Sequence, residues 1–241
     1  MAHGRLLDLG GGAELLGDVV TTPLPSSIQF HPHHSELIFS EEDHSYRLRS
    51  GERLDSVTGI LKAEGIQTYG PRNADADFKM QVGTWVHQAI AWFEHGTLDE
   101  STLSEGIAPY LRSYKLFKEA TGFQPILPLI EKAMWHPSWR YCGTPDLPGT
   151  INGRFVLGDL KTGGKRAGDT IQIAAYGDLV MCSIVGMENI FPEGIVIYLQ
   201  NDGTRAKAEP VSAEEMFQNL SVFIAALKVN RWKKAHNQAD E

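Results

Sequence analysis

The pattern of apolar and polar positions along the chain divides it into predicted helices and strands. Apolar residues recur at helical spacing in four segments: 83–95, 100–122, 169–185 and 212–235. Asp169 or Thr170 is the predicted N-cap of the third, and Ser212 with Glu215 predicts a capping box at the fourth. The apolar run 193–201 predicts a buried strand, and shorter strands are expected before and after a turn at His136-Pro137. This mixture of elements indicates an α/β fold, and 241 residues are enough for one large core.

Turn residues mark two hairpins and an irregular beginning. Ser50-Gly51 predicts a turn within residues 40–61, and Asn152-Gly153 is a strong signal for a type I′ turn, which needs positive φ at both positions. Residues 1–35 are rich in Gly, Pro and His and are interpreted as an irregular arm, with one domain over 36–241. The His-Pro-His-His run at 31–34 is interpreted as a solvated turn.

The second hairpin brings charged side chains together. A turn at Asn152-Gly153 places Asp146 opposite Asp159, with Cβ atoms about 4.5–5.5 Å apart. Lys161 lies on the same face as Asp159, two positions further on. Two carboxylates at 4 Å repel by roughly 4 kcal/mol at an effective dielectric near 20, a repulsion that Mg²⁺ or Mn²⁺ between them would remove. A bulge at Pro148 would shift this register, and an ordinary hairpin with solvated charges is the alternative.

Composition limits the class of protein. The net charge of −8 argues against a protein that coats nucleic acid nonspecifically, although basic residues gather near the hairpin and in 228–236. Two cysteines cannot supply the four ligands of an iron–sulfur cluster and fit a reducing cytosol. The sequence shows no secretory signal and no apolar run long enough to span a bilayer, so a cytoplasmic protein is expected.

Three further polar positions are candidates for a site. Gln172 and Tyr176 are four residues apart and share one face of a predicted helix. His87 lies among apolar helix residues, where a hydrogen-bonded core histidine is commoner than a metal ligand. Glu131 is surrounded by apolar residues and is either a site residue or a surface glutamate.

Four short motifs occur in a fixed order along the chain. They are GxxxH (Gly83–His87), GxPD (Gly143–Asp146), DxK (Asp159–Lys161) and QxxxY (Gln172–Tyr176), preceded by SVTGIL at 56–61. Together they resemble the PD-(D/E)XK nuclease superfamily, in particular its RecB-like branch, which includes phage exonucleases and the mitochondrial genome maintenance exonuclease. The resemblance covers about residues 46–180 and implies a restriction-endonuclease-like core, a central mixed sheet flanked by helices.

The resemblance also implies roles for individual residues. His87, Asp146, Asp159 and the carbonyl of Leu160 would hold Mg²⁺ or Mn²⁺, and Glu131 matches an additional acid of the family. Lys161 would orient or activate the attacking water and stabilise charge on the phosphate, while Gln172 and Tyr176 would contact the DNA backbone or steady the site. Without a cysteine set for a cluster, the chain resembles the members that lack iron–sulfur.

The expected function is that of a metal-dependent deoxyribonuclease. The resemblance favours an exonuclease that acts on DNA ends or single strands in recombination, repair or phage DNA processing, in a bacterial or phage-infected cytoplasm. A recombination protein or a second copy of the chain is a candidate partner, and Lys165 and Arg166 are candidates for gripping phosphates. A catalytically silent DNA-binding or assembly protein, a structure-specific endonuclease and a nucleotide phosphohydrolase stay open as alternatives.

Overall fold

A computed structural model describes residues 27–40, 42–68, 73–188 and 190–236. The α-helices within these ranges are α1 (Val57–Ala63), α2 (Ala74–Glu94), α3 (Ala108–Thr121), α4 (Asp169–Ser183) and α5 (Ala213–Ala235). The strands are β1 (Leu37–Ser40), β2 (Ser45–Leu48), β3 (Asp55–Ser56), β4 (Gln124–Pro125), β5 (Met134–Trp135), β6 (Tyr141–Gly143), β7 (Leu147–Ile151), β8 (Arg154–Lys161), β9 (Glu193–Tyr198) and β10 (Lys207–Val211).

The main sheet has five strands in the order β10-β9-β8-β7-β4. Strands β8 and β9 are parallel and joined by the crossover helix α4, whereas the other pairs are antiparallel. A second sheet has the order β3-β6-β5, and β1 and β2 form a separate hairpin. The chain is therefore α/β, with mixed sheets flanked by helices.

The core lies on both faces of the main sheet. Phe155 and Leu157 of β8 pack into a cluster with residues of α1, α4 and α5, whereas Val156 and Leu160 pack with residues of α2 and α3. This division follows from the alternation of side chains along a strand. Because β8 is buried on both faces, its last residues, including Asp159, are held at fixed positions.

The Asn152-Gly153 turn is confirmed, with φ of 52° and 75° at the two residues. The ladder runs without a bulge from Ile151–Arg154 to Leu147–Gly158, so Pro148 is accommodated beside the two-residue strand β4. The ladder ends there, and Asp146 lies in a bend just before β7. The predicted pairing of Asp146 with Asp159 is therefore not part of the ladder.

Several predicted helix boundaries differ from the structure. Helix α2 begins at Ala74 because the Asn73 side chain accepts a hydrogen bond from the Ala76 N–H, and its first turns are exposed and lack apolar periodicity. The segment 100–122 begins as a short 3-10 turn, and α3 starts only at Ala108. The predicted side-chain N-cap of α4 is wrong, because the helix follows Gly168.

Other local predictions hold. Ser212 and Glu215 form the capping box of α5, and Gly122 ends α3 with φ of 68°. A turn does occur at Ser50-Gly51, where Gly51 has φ of 90° and its N–H donates to the Leu48 carbonyl. None of the helices in the described ranges has the length and apolar character needed to cross a membrane.

The N-terminal arm is described only from residue 27, so the interpretation of residues 1–26 lies outside the described part of the chain. Residues Pro32–Glu36 form a short 3-10 helix rather than a solvated turn. The His34 ring stacks on Phe30 with centroids 4.2 Å apart, and its Nδ1 is buried.

Candidate functional site

Three side chains that could bind a metal meet beside the end of β8. His87 of α2, Glu131 and Asp146 each offer a ligand atom, and these atoms lie within 4.8 Å of one another. His87 Nδ1 is 3.2 Å from Glu131 Oε1 and 3.5 Å from Asp146 Oδ1. His87 Nε2 is 3.2 Å from the carbonyl oxygen of Leu160. The structure thus brings together four of the predicted site residues from separate parts of the chain.

Local backbone features position two of these ligands. Gly83 lies one helical turn before His87, and a Cβ at this position would be 3.3 Å from Thr162 Oγ1, so glycine lets α2 approach the end of β8 closely. Glu131 has φ of 48°, in the left-handed region that non-glycine residues rarely adopt. Its N–H donates to the Asp146 carbonyl over 3.0 Å, which holds the two acids side by side.

Asp146 is held in place by a side-chain hydrogen bond that takes the place of the next backbone hydrogen bond between β7 and β8. Its Oδ2 accepts a hydrogen bond of 2.7 Å from the Leu160 N–H, while Oδ1 faces His87. The carboxylate therefore reaches across to β8 from the bend before β7.

Asp159 has a different partner from the one expected. It is fully buried, and the Lys161 ammonium lies 2.5 Å from its Oδ2. Beyond this ion pair, neither carboxylate oxygen accepts a hydrogen bond from the described residues. Asp159 and Lys161 thus form a buried pair beside the three-residue cluster, and the side chain of Asp159 is not one of the cluster's members.

A chain of polar side chains extends from Lys161. Its ammonium donates to Gln172 Oε1 over 3.3 Å, and Gln172 Nε2 donates to the Tyr176 hydroxyl over 3.2 Å. Gln67 Nε2 also donates to Gln172 Oε1, over 3.1 Å. Sequence reasoning missed Gln67, because it follows α1 and belongs to no motif that could have marked it.

The glycine of GxPD has a packing role next to this chain. A Cβ at Gly143 would lie 2.6 Å from Tyr176 Cε1, far inside an ordinary carbon–carbon contact of about 3.5–4.0 Å. Only glycine lets the Tyr176 ring lie against β6. The GxPD and QxxxY motifs are therefore in direct contact through Gly143 and Tyr176.

Electrostatic coupling shifts the protonation of the cluster. Burial would lower the pKa of His87, but Asp146 and Glu131 outweigh it and raise that pKa well above its usual value. Burial would raise the pKa of Asp146, but His87 and Lys161 outweigh it and lower that pKa. The imidazolium of His87 thus balances acidic charge, and it must lose its proton to bind a metal.

The pKa values of the neighbouring acids Glu131 and Asp159 are raised, whereas that of Asp146 is lowered. Burial raises the pKa of Glu131, with Asp146 adding to the shift and His87 opposing it. Burial also raises the pKa of Asp159 to about 7, and Lys161 offsets this only in part. The pKa of Lys161 is raised because Asp159 and Asp146 outweigh the effect of its burial. Three carboxyl groups therefore face two cationic side chains, a balance that a bound cation would improve.

Lys165 and Arg166 lie on the exposed loop between β8 and α4. The Lys165 ammonium is 2.5 Å from Glu209 Oε1 on β10, and the Arg166 N–H donates to Asp169 Oδ2. Their predicted contact with DNA stays a prediction.

No protein-family model matches this chain, and no curated protein matches it. The arrangement of the cluster and the motifs that build it are the main guide to its function.

Proposed function

We propose that the protein is a divalent-metal-dependent deoxyribonuclease of the PD-(D/E)XK type, with a restriction-endonuclease-like core. The observation that carries the proposal is the meeting of His87, Glu131 and Asp146 within 4.8 Å, beside the buried pair of Asp159 and Lys161. Residues from three of the four motifs lie at this one place, and the fourth supplies Gln172, which contacts Lys161.

The donor set fits Mg²⁺ or Mn²⁺. Carboxylate and carbonyl oxygens are the ligands that these hard cations prefer, and the imidazole of His87 favours Mn²⁺. His87, Glu131, Asp146 and the Leu160 carbonyl would hold the cation, with the buried oxygens of Asp159 as a further ligand. When bound, a divalent cation neutralises phosphate charge and lowers the pKa of coordinated water from about 15.7.

Side chains of the protein itself would position the phosphate and supply positive charge beside it. The Lys161 ammonium, held by Asp159 and Gln172, can donate hydrogen bonds to a phosphate oxygen as negative charge develops on it. Gln172 is in turn held by Tyr176 and Gln67, so Lys161 keeps its position without substrate. A preorganised donor of this kind loses little free energy to reorganisation during the reaction.

The substrate we propose is DNA with a free end or an unpaired strand, processed in recombination, repair or phage DNA metabolism in the cytoplasm. An acidic chain holds internal duplex weakly, because nonspecific affinity depends on neutralising phosphates with Lys and Arg. Selection would therefore rest on the shape of the substrate. We propose that Lys165 and Arg166 bind the phosphates of the DNA backbone.

The proposal is tested with purified protein on end-labelled linear duplex, single-stranded DNA, a relaxed closed circle and free nucleotides. Each substrate is incubated with Mn²⁺, Mg²⁺ or EDTA. We expect metal-dependent shortening of linear DNA and sparing of the circle. Asp159→Asn should be inactive, and Asp75→Asn, which removes an exposed carboxylate paired with Lys79 on α2, is the matched control.

Each alternative gives a different result in the same experiment. Rapid nicking of the circle would favour an endonuclease, and binding without cleavage would favour a silent DNA-binding protein. Hydrolysis restricted to free nucleotides would favour a phosphohydrolase. Cleavage that persists in EDTA would contradict the metal-dependent proposal.

A further inference from the structure

Three large aromatic side chains are exposed along one face of α2 and form an aromatic row. Phe78 is 61% exposed, Trp85 45% and Trp92 47%. Because they are seven residues apart, successive rings lie two helical turns apart on the same face, about 10 Å from each other along the axis. Single exposed apolar residues are common on soluble proteins, but aligned aromatic rings are typical of a surface that another molecule covers.

The aromatic row lies outside the core. The buried residues of α2 are Val86, Ala89 and Ile90, which pack in the cluster that includes residues of α3. Between residues 73 and 85 no side chain is buried, so the first turns of α2 extend beyond the core. The row therefore belongs to a part of the helix that the rest of the described chain leaves exposed.

The aromatic row also faces away from the metal cluster. His87 follows Phe78 by nine residues, which is about two and a half helical turns, so it lies on the opposite face of α2. On that face His87 contacts the carbonyl oxygen of Leu160. A DNA strand that lay along the row would be on the far side of the helix from the cluster. The position of the row thus favours a protein as its partner.

The order of the rings suits pairing of α2 with a second copy of itself. Trp85 is at the centre of the row, with Phe78 seven residues before it and Trp92 seven residues after it. If two α2 helices pack antiparallel about a two-fold axis at Trp85, residues equally distant from Trp85 on either side meet. Each Trp85 then lies against the other, and each Phe78 lies against a Trp92. A seven-residue repeat keeps such a contact face along the whole helix.

A line of exposed polar residues follows one edge of the aromatic row. These residues are Asp77, Gln81, Gln88 and His95. A two-fold axis brings the same edges of the two helices together. Asp77 then lies within about 3 Å, along the axis, of His95 of the second copy, and Gln81 lies closer still to Gln88. An acid faces an imidazole and an amide faces an amide, so this edge is complementary to itself.

The exposed area is that of a small interface. An aromatic side chain has about 150–250 Å² of surface, and roughly half of each ring in the row is exposed, so two copies would bury roughly 600 Å². A stable interface takes about 1,200–2,000 Å², and the flanking residues of a helix about 30 Å long would supply the remainder. On the other edge, Asp75 is 2.7 Å from Lys79 of the same copy, so its charge is balanced without the second copy.

We propose that the aromatic row is an interface between two copies of the chain, whose α2 helices pack antiparallel with Trp85 on the two-fold axis. The same surface is then used by both copies, as in most homodimers. The two metal clusters would lie on the outer sides of the paired helices and stay open to substrate. The inference goes beyond the proposed nuclease activity and does not depend on it.

Sedimentation equilibrium of the full chain, without DNA or divalent metal, tests the interface over a wide range of protein concentrations. Trp85→Ala and Trp92→Ala each remove a ring from the row. The matched control is Trp232→Ala, which removes a tryptophan that is 52% exposed on α5. Thermal melting confirms that each variant is folded.

We expect the wild type to dimerise reversibly and each row variant to dimerise about thirtyfold more weakly, because an aromatic anchor is lost from the centre of the interface. Trp232→Ala should match the wild type. A wild type that stays monomeric at all concentrations would overturn the inference. Unchanged dimerisation in both row variants would also overturn it, and so would an equal loss in Trp232→Ala.

Charged residues at position 85 test the two-fold axis itself. Trp85→Glu brings two like charges together on the axis, and so does Trp85→Lys, so each variant alone should be monomeric. In a mixture of the two variants, a glutamate can face a lysine, and the mixture should dimerise more strongly than either variant alone. Equal dimerisation of the mixture and of the separate variants would overturn the antiparallel arrangement.

A final measurement separates a second copy from nucleic acid as the occupant of the row. Fluorescence anisotropy of a labelled single-stranded oligodeoxythymidine in EDTA gives the Kd for the wild type, Trp85→Ala and Trp92→Ala. Bases stack on exposed aromatic rings, so a loss of binding in both variants, together with a monomeric wild type, would assign the row to DNA and overturn the inference. A dimeric wild type whose row variants are monomeric and bind the oligonucleotide as a monomeric site should would support it.

Discussion

Replacing Gly143 with alanine tests the contact that joins two of the site's motifs. The added Cβ would lie 2.6 Å from Tyr176 Cε1 and 3.3 Å from Leu179 Cδ1. An ordinary contact between carbon atoms is about 3.5–4.0 Å, so the tyrosine ring would have to retreat by roughly 1 Å. Tyr176 is buried, and nearby side chains leave it little room to move.

The expected loss follows from this overlap. Overpacking in a buried region destabilises a protein by about 1–3 kcal/mol. For a chain of this size, each kcal/mol lowers Tm by roughly 2–4 °C. The shift would also lengthen the 3.2 Å bond between the Tyr176 hydroxyl and Gln172, which positions Lys161, so metal-dependent cleavage should fall as well.

Calorimetric or fluorescence melting of Gly143→Ala measures the change. The matched control is Gly164→Ala, because a Cβ at Gly164 would meet no atom within 4 Å. Shortening the neighbour in Gly143→Ala/Tyr176→Leu should recover part of the loss, so the two effects should not add. A Gly143→Ala protein that melts within 1 °C of the wild type, a margin well below the shift of roughly 2 °C or more expected here, would refute the contact.

Three other predictions follow from the site and the arm. Asp159→Asn should abolish metal-dependent cleavage and should also lower Tm, because the buried Lys161 ammonium loses the carboxylate that balances its charge; near-wild-type cleavage would remove Asp159 from the site. His87→Ala should weaken Mn²⁺ binding in calorimetry and abolish any preference for Mn²⁺ over Mg²⁺, whereas unchanged binding would make His87 a core residue. Burial, with Lys132 and His33 adding, lowers the pKa of His34 to about 4, so the unfolded chain binds the proton more readily. Tm should therefore fall between pH 6.5 and pH 4, and fall less in His34→Gln; equal acid sensitivity in both proteins would contradict this.

Much of the local structure was predictable because it depends on short-range rules. Positive φ at Asn152-Gly153, the capping box of Ser212 and Glu215, and the left-handed end of α3 at Gly122 each follow from the conformational preferences of one or two residues. Helix boundaries were less predictable where the end of the helix is exposed to solvent. The first turns of α2 are solvent-exposed, so apolar periodicity could not mark them.

The site was predictable only in part. The resemblance implied that His87, Asp146, Asp159 and the Leu160 carbonyl hold one metal, with Glu131 as an additional acid. In the structure, Glu131 lies with His87 and Asp146, whereas Asp159 pairs with Lys161. The ladder ends at Leu147 because the Asp146 carboxylate takes the Leu160 N–H, and this turns Asp146 toward His87 and Glu131.

By itself, the sequence determined the residue types of the site, the hairpin register and the alternation that buries β8 on both faces. For Glu131, which the sequence left as either a site residue or a surface glutamate, the tertiary structure decided that it joins the cluster. The tertiary structure alone decided that Asp159 pairs with Lys161 and that Gln67 supports Gln172. These contacts join residues far apart in the chain. Their geometry depends on how helices pack on the sheet, which local backbone preferences do not specify.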